Sequence, residues 1–191
     1  MFRTIYIVFA LQAFSTISRP TPQIGSLITV DTLPKTLKFS ILIDWNQGQL
    51  YNAEDQSVLL TKPGTTQNTI EITSPKGDIA RTVNLSGDSK SCDPVTYKLS
   101  NTRSFKFQND VWSLNNSDQE GWGNFQFHPT SPSSLLGEIK TIESPMYTVA
   151  KITTSNNEYV IKYSEIYEID ELYLTALMIV VDKYEKKCGS N

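Results

Sequence analysis

Leu172-Tyr173-Leu174-Thr175-Ala176-Leu177-Met178-Ile179-Val180-Val181 is the stretch that decides the fold. It is apolar on nearly every side, which marks a helix surrounded by protein rather than one lying on a surface. Asp170 and Glu171 precede it and Lys183, Lys186 and Lys187 follow it, charges that complement a helix dipole at both ends. A bilayer span needs about 20 apolar residues, and this run is roughly half that and carries Tyr173 and Thr175. The β-branched trio Ile179-Val180-Val181 leaves a buried central strand as the alternative. The expected helix covers about residues 170–184.

Upstream the pattern changes to period two. Alternation runs through Lys38–Ile43, Thr69–Thr73, Asp78–Leu85, Ser104–Phe107, Val111–Leu114, Asn124–Phe127, Gly137–Lys140, Tyr147–Ile152 and Tyr159–Tyr163. Turn chemistry separates these segments, as in Asn46-Gln47-Gly48, Pro63-Gly64, Pro75-Lys76-Gly77-Asp78, Ser86-Gly87-Asp88, Glu120-Gly121 and Ser155-Asn156-Asn157. Short strands punctuated in this way point to a meandering antiparallel sandwich or barrel with one apolar face. An apolar helix at the end of such a chain has only sheet against which to bury itself. Pro129-Thr130-Ser131-Pro132-Ser133-Ser134 reads as a surface loop.

The chain opens with Arg3, an apolar stretch from Ile5 to Phe14, and small polar residues up to Ser18. That order predicts a secretory signal over residues 1–18, with an uncleaved anchor as the alternative. Residues 19–35 hold Pro20, Pro22 and Pro34 and read as an extended lead-in. Residues 36–191 then form one domain. Export makes a disulfide between the two cysteines, Cys92 and Cys188, the favoured reading over two free thiols. It also gives meaning to the glycosylation sequons at Asn84 and Asn115. No transmembrane segment is expected in the mature chain.

Formal charge is −3, and removal of Arg3 with the leader takes it to −4. The lysines are scattered in sequence and no basic cluster interleaves with aromatics, so nucleic acid is not an expected partner. His128, in Phe127-His128-Pro129, is the one histidine, and no nucleophile motif accompanies it, so a structural role at a strand end is expected. Two distant cysteines and one histidine do not suggest a metal site. Asn115–Gly121 resembles a calcium loop only in its alternating oxygens and reads as a polar turn. Asp110, Asp118 and Glu120 lie near Trp112 and Trp122, the local grouping that a sugar-binding or sugar-cleaving site would use. The competing reading packs the tryptophans inside and leaves the acids on the surface.

Short strands with Asp/Gly turns, followed by Ile169 to Asp182 with its apolar helix and trailing Asp, resemble the tubby C-terminal superfamily. That superfamily includes plant LURP-one-related proteins and animal phospholipid scramblases. Ile72-Thr73-Ser74-Pro75-Lys76-Gly77-Asp78-Ile79 is similar to its strand-turn-strand with a Gly before the second strand. The resemblance spans about Thr36 to Glu185. It implies a mostly β fold: a closed antiparallel barrel of about ten to twelve short strands around one C-terminal hydrophobic helix. The basic phosphoinositide pocket of tubby proteins and the cysteine-rich segments of scramblases have no matching residues here. The expected function is therefore that of a secreted, non-catalytic binding or interaction protein without catalytic residues, cofactor or metal. Its partner would be a lipid, a glycan or a protein held at the outer face or loops, with Trp112 and Trp122 as the candidate ligand surface. The alternatives are an extracellular carboxylate-based hydrolase, or lipid-surface binding as in phosphoinositide-binding relatives.

Overall fold

The computed structural model describes residues 33–86, 92–99, 103–116, 125–142, 146–164 and 169–189. The leader and most of the lead-in lie outside them, as do Asp118, Glu120 and Trp122. Twelve strands precede one helix. The first five are β1 (Lys35–Ser40), β2 (Gln49–Tyr51), β3 (Ser57–Pro63), β4 (Thr69–Thr73) and β5 (Ile79–Asn84). The remaining seven are β6 (Val95–Lys98), β7 (Arg103–Gln108), β8 (Val111–Asn116), β9 (Phe125–Pro129), β10 (Gly137–Thr141), β11 (Thr148–Ser155) and β12 (Glu158–Tyr163). The helix, α1, spans Glu171–Cys188.

The strands form one sheet in the order β5-β4-β3-β2-β1-β12-β11-β10-β9-β8-β7-β6. Every ladder is antiparallel, and each joins sequence neighbours except β1 with β12, which pair from Lys35↔Tyr163 to Ser40↔Glu158. That pairing turns a meander into a ring. The remaining seam lies between β5 and β6, which approach each other without a ladder among the described strands. The result is a nearly closed barrel.

Tight turns carry the right residues. Asn109 and Asp110 between β7 and β8, and Asn156 and Asn157 between β11 and β12, all have positive φ, as two-residue type I′ hairpins require. Gly77 has φ 92° in the β4–β5 turn, a conformation that glycine adopts without strain.

Along each strand the apolar residues alternate inward. Leu37 and Phe39 of β1, Phe105 and Phe107 of β7, Phe125 and Phe127 of β9, and Ile139 of β10 are all buried. Twelve strands enclose more space than inward side chains alone can fill, because barrel diameter grows with strand number. The filler is α1. Every residue from Tyr173 to Val181 is buried. The helix packs against β4 and β5 on one side. On the other, Tyr173 meets the rings of Phe105 at 5.4 Å and Phe125 at 6.0 Å, and Tyr184 meets Phe107 at 4.6 Å and Trp112 at 5.4 Å.

Both helix ends are fixed. The Asp170 carboxylate accepts the Tyr173 backbone N–H at 2.7 Å, and the Tyr163 hydroxyl donates to Glu171 at 2.6 Å. Gly189 N–H donates to the Glu185 carbonyl at 2.7 Å. Cys188 is disulfide-bonded to Cys92, with Cα atoms 5.9 Å apart. The bridge ties the last helical turn to the segment before β6.

Several sequence expectations shift. The helix runs on to Cys188, four residues past the expected Tyr184, and the disulfide anchors that added turn. β1 starts at Lys35, inside the expected lead-in, and ends at Ser40. Ser40 turns the chain by accepting Leu42 N–H on its hydroxyl and Ile43 N–H on its carbonyl, so the apolar Ile41-Leu42 pair leaves the sheet. Leu42 is 87% exposed.

Candidate functional site

The helix fills the lumen, so recesses that could hold a ligand are built by loops. The rim at the C-terminal end of α1 gathers the β1–β2 and β3–β4 loops and the residues after β5. A cleft of about 490 Å³ opens there, walled by Asp44, Trp45 and Asn46, by 63–69, and by Asp182, Lys183 and Lys186 of α1, with Ile70, Leu85 and Ile179 beneath. Its size is that of a small-molecule site.

Each wall is held by its own backbone chemistry. Asp44 folds the β1–β2 loop: its Oδ1 accepts the Asn46 backbone N–H at 3.0 Å and side-chain amide at 2.9 Å, and its Oδ2 accepts the Gln47 amide at 3.3 Å. Gly64 N–H donates to the Thr69 carbonyl at 2.8 Å. A Cβ at Gly64 would lie 2.1 Å from Thr69 Oγ1, so this close approach needs glycine. The Thr69 hydroxyl donates to the Thr66 carbonyl at 2.6 Å, and Leu85 N–H donates to the Asn68 carbonyl at 2.7 Å, which ties the β3–β4 loop to the end of β5.

Trp45 is the notable lining residue. It is 5% exposed and its ring lies 5.4 Å from Phe39, yet its Nε1 is buried without a hydrogen-bond partner among the described residues. Buried donors are seldom left unpaired. The two carboxylates of the cleft are engaged, Asp44 as above and Asp182 with Lys186 Nζ at 2.7 Å. Lys183 is half-buried with no ion-pair partner among the described residues.

A second recess, about 570 Å³, lies outside β1 and β2 and is lined by Ser40, Leu42, Tyr51, Asp55 and Glu158 among others. Lys38 bonds Asp55 at its edge. No orphaned donor or acceptor lines this recess among the described residues.

The residues expected from sequence fall elsewhere. Trp112 is corrected from ligand surface to core: it is 1% exposed and packed among Tyr97, Phe107 and Tyr184. It sits on an inward position of β8, opposite Phe127. Asp110 occupies the hairpin before β8, whereas Asp118, Glu120 and Trp122 follow β8 in sequence and lie outside the described residues. Six extended residues separate the two ends of that grouping.

His128 lies opposite Glu138 in the β9–β10 ladder and lines neither cleft. Burial pulls its imidazole below the ordinary value and Lys140 adds to this, while Glu138 opposes; it is neutral near pH 7. Asn84 ends β5 half-buried, its side-chain oxygen accepting Ser86 N–H at 2.8 Å. Asn115 lies within β8, and its side chain is outside the description. Among the described residues no three His, Cys, Asp or Glu side chains gather to hold a metal, and no helix is long and apolar enough to cross a membrane.

Sequence reading missed the cleft around Trp45. Its signal was Asp44-Trp45-Asn46-Gln47-Gly48, a tryptophan inside turn chemistry. What could not be read was the approach of 63–69 and of α1 to that turn, which depends on barrel closure.

No family model matches the chain, and no curated protein matches it. Among solved structures it is similar to the X-ray structure of a protein from Arabidopsis thaliana, AT5G01750, with a TM-score of 0.54. Identity is 10%, over 83% of this chain and 97% of the other. A likeness at that identity is one of fold: this chain has a tubby-like barrel, nearly closed around its C-terminal helix.

Proposed function

We propose that this is a secreted, non-catalytic binding protein that takes its ligand in the cleft at the barrel mouth. The observation that carries the reading is the loop-built recess at the barrel mouth, walled by Trp45, residues 63–69 and Lys183, in a barrel whose interior is occupied by α1. The leader-like residues 1–18 and the Cys92–Cys188 disulfide support export.

The test is an unbiased screen of the purified mature protein over glycans, lipids and small metabolites, run beside Thr65→Trp. Thr65 is an exposed residue of the cleft wall, so a tryptophan there fills the recess without touching the core. The wild type retains a ligand that Thr65→Trp loses. Equal retention by both proteins places binding elsewhere and removes the reading. A panel of glycan, ester and peptide substrates gives no turnover; turnover abolished by His128→Ala, or by Asp110→Asn with Glu120→Gln, shows an enzyme instead.

A further inference from the structure

Lysines that are scattered in sequence meet on one outer face of the barrel. The ladders place Lys162 of β12 opposite Lys151 of β11, Lys151 opposite Glu138 of β10, and Glu138 opposite His128 of β9. In the neighbouring row Lys140 faces Gln126, Gln126 faces Ser113 and Ser113 faces Lys106 of β7. These positions alternate with the buried Ile161, Ile152, Ile139, Phe127, Trp112 and Phe107, so they point outward. Lys106, Lys140, Lys151 and Lys162 are thus set against two outward carboxylates on the same strands, Glu138 and Glu158, and Glu158 stands at the far end of β12, opposite Ser40. Glu138 is shared between Lys140, at 3.1 Å, and Lys151, at 3.7 Å, while Lys162 is exposed with no ion-pair partner among the described residues. Like charges directly opposite in a ladder are destabilising, a cost that the Lys151–Lys162 pair sheds when an anion lies across both. We infer that this face binds a sulfated glycan, whose sulfates lie across β10, β11 and β12 and pair with Lys140, Lys151 and Lys162. The site is separate from the mouth cleft, none of whose lining residues comes from these strands.

The shape of the surface selects the class of anion. It is a sheet face, where a single exposed ion pair contributes little, so retention needs several charges on one ligand. Adjacent strands are spaced at about 4.8 Å, and an extended polyanion crossing them meets a lysine on each of β10, β11 and β12. An anionic bilayer also gains from inserted apolar side chains, and the large exposed ones, Ile41, Leu42, Ile142 and Met146, all lie in loops beyond the strand ends. Single-stranded nucleic acid stacks its bases on exposed aromatic rings, and no outward position of these three strands carries one. A sulfated glycan needs only the row of cations, and it is a polyanion that an exported protein meets.

The mature, disulfide-bonded protein is titrated with heparin, with desulfated heparin, and with vesicles of phosphatidylcholine and phosphatidylserine. Heparin binds saturably and more weakly as salt rises, desulfated heparin binds at least tenfold more weakly, and the vesicles retain no protein. Lys151→Gln with Lys162→Gln weakens heparin binding at least tenfold while melting as the parent does. Glu138→Gln removes the central carboxylate and tightens binding, a gain that misfolding cannot produce. Lys76→Gln takes an exposed charge from the β4–β5 turn, on the far side of the ring, and leaves binding unchanged. So does Thr65→Trp, which fills the mouth cleft, so this site and the cleft stand or fall separately. Absence of heparin binding, equal binding of the desulfated chain, or preference for the vesicles overturns the assignment. A loss with Lys76→Gln as large as that of the double variant shows general charge attraction, and a loss with Thr65→Trp shows binding in the cleft; either overturns it as well.

Discussion

Ala176 and Leu177 have no exposed surface at the middle of α1, so each tests whether the helix is enclosed. Leu177→Ala removes buried methyl groups and leaves a cavity, at a cost of about 2–5 kcal/mol. Ala176→Asp places a carboxylate where water does not reach, at a cost of several kcal/mol, a large share of the stability of a domain this size. Denaturant melts of both should fall well below the parent; curves that overlay it would mean a peripheral helix. Tyr173, one turn earlier on the same helix, reports on the same interior. Burial alone pushes its phenol far above the ordinary value near 10. The folded pKa lies above the unfolded one, so this contribution to stability is complete below about pH 10 and is lost as pH rises beyond it, when only the unfolded chain can ionise there. Tyr97, Tyr159 and Tyr184 are shifted in the same direction, chiefly by burial. Tyr173→Phe should therefore move the alkaline unfolding midpoint to higher pH, read by phenolate absorbance against circular dichroism.

At the scale of elements, α1 depends on its two ends. Asp170 caps it through Tyr173 N–H, yet desolvation raises its pKa against that hydrogen bond and the favourable field of Arg81. A raised folded pKa means that the contribution is present below the ordinary carboxylate value near 3.8 and is lost as pH rises, so at neutral pH the charge itself is a burden. Asp170→Asn keeps the acceptor without the charge and should melt at or above the parent at pH 7, whereas Asp170→Ala loses the cap and about 0.5–2 kcal/mol. The reverse order would show that the charge is what holds the cap. The other end is held by Cys188. A bridge spanning 96 residues stabilises by roughly 4–5 kcal/mol in the chain-entropy model, so Cys92→Ser with Cys188→Ser should lower the denaturation midpoint by a comparable amount. These elements differ in how plainly the sequence announces them. β4, Thr69–Thr73, and the Asn156-Asn157 hairpin are written in alternation and turn residues. β2 is three residues long and β6 four, too short for a period to show, and β3 carries Leu59-Leu60 on opposite faces, which breaks the alternation. Ile41-Leu42-Ile43 shows the converse, an apolar run that local hydrogen bonds to Ser40 pull out of the sheet.

For the whole molecule, the period-two segments and the all-round apolar run are enough to set a sheet around a helix, because a helix without a polar face needs neighbours on every side. Ring closure is a different matter. It rests on the β1–β12 ladder, a pairing between the ends of the domain that no local pattern encodes, and with it comes the meeting of loops at the mouth. The cleft around Trp45 is therefore a property of the closed barrel, and Trp112 could be placed in the core only once β8 had its neighbours. Asn84 closes β5 beside Leu85, which lies under the cleft, so a glycan on Asn84 would stand at the rim of the same mouth. Whether that glycan exists follows from the route the chain takes through the cell, and one measurement on protein recovered from the medium of expressing eukaryotic cells addresses both. Arg3 followed by Ile5–Phe14 and Ser15–Ser18 predicts cleavage near Ser18, so N-terminal sequencing should begin between Thr16 and Pro20. Intact mass should then fall on amidase treatment by the glycan carried at Asn84, at Asn115 or at both, and Asn84→Gln assigns the share at the rim. Met1 on a soluble protein would end the export argument, and with it the expectation that Cys92 and Cys188 pair in an oxidising compartment.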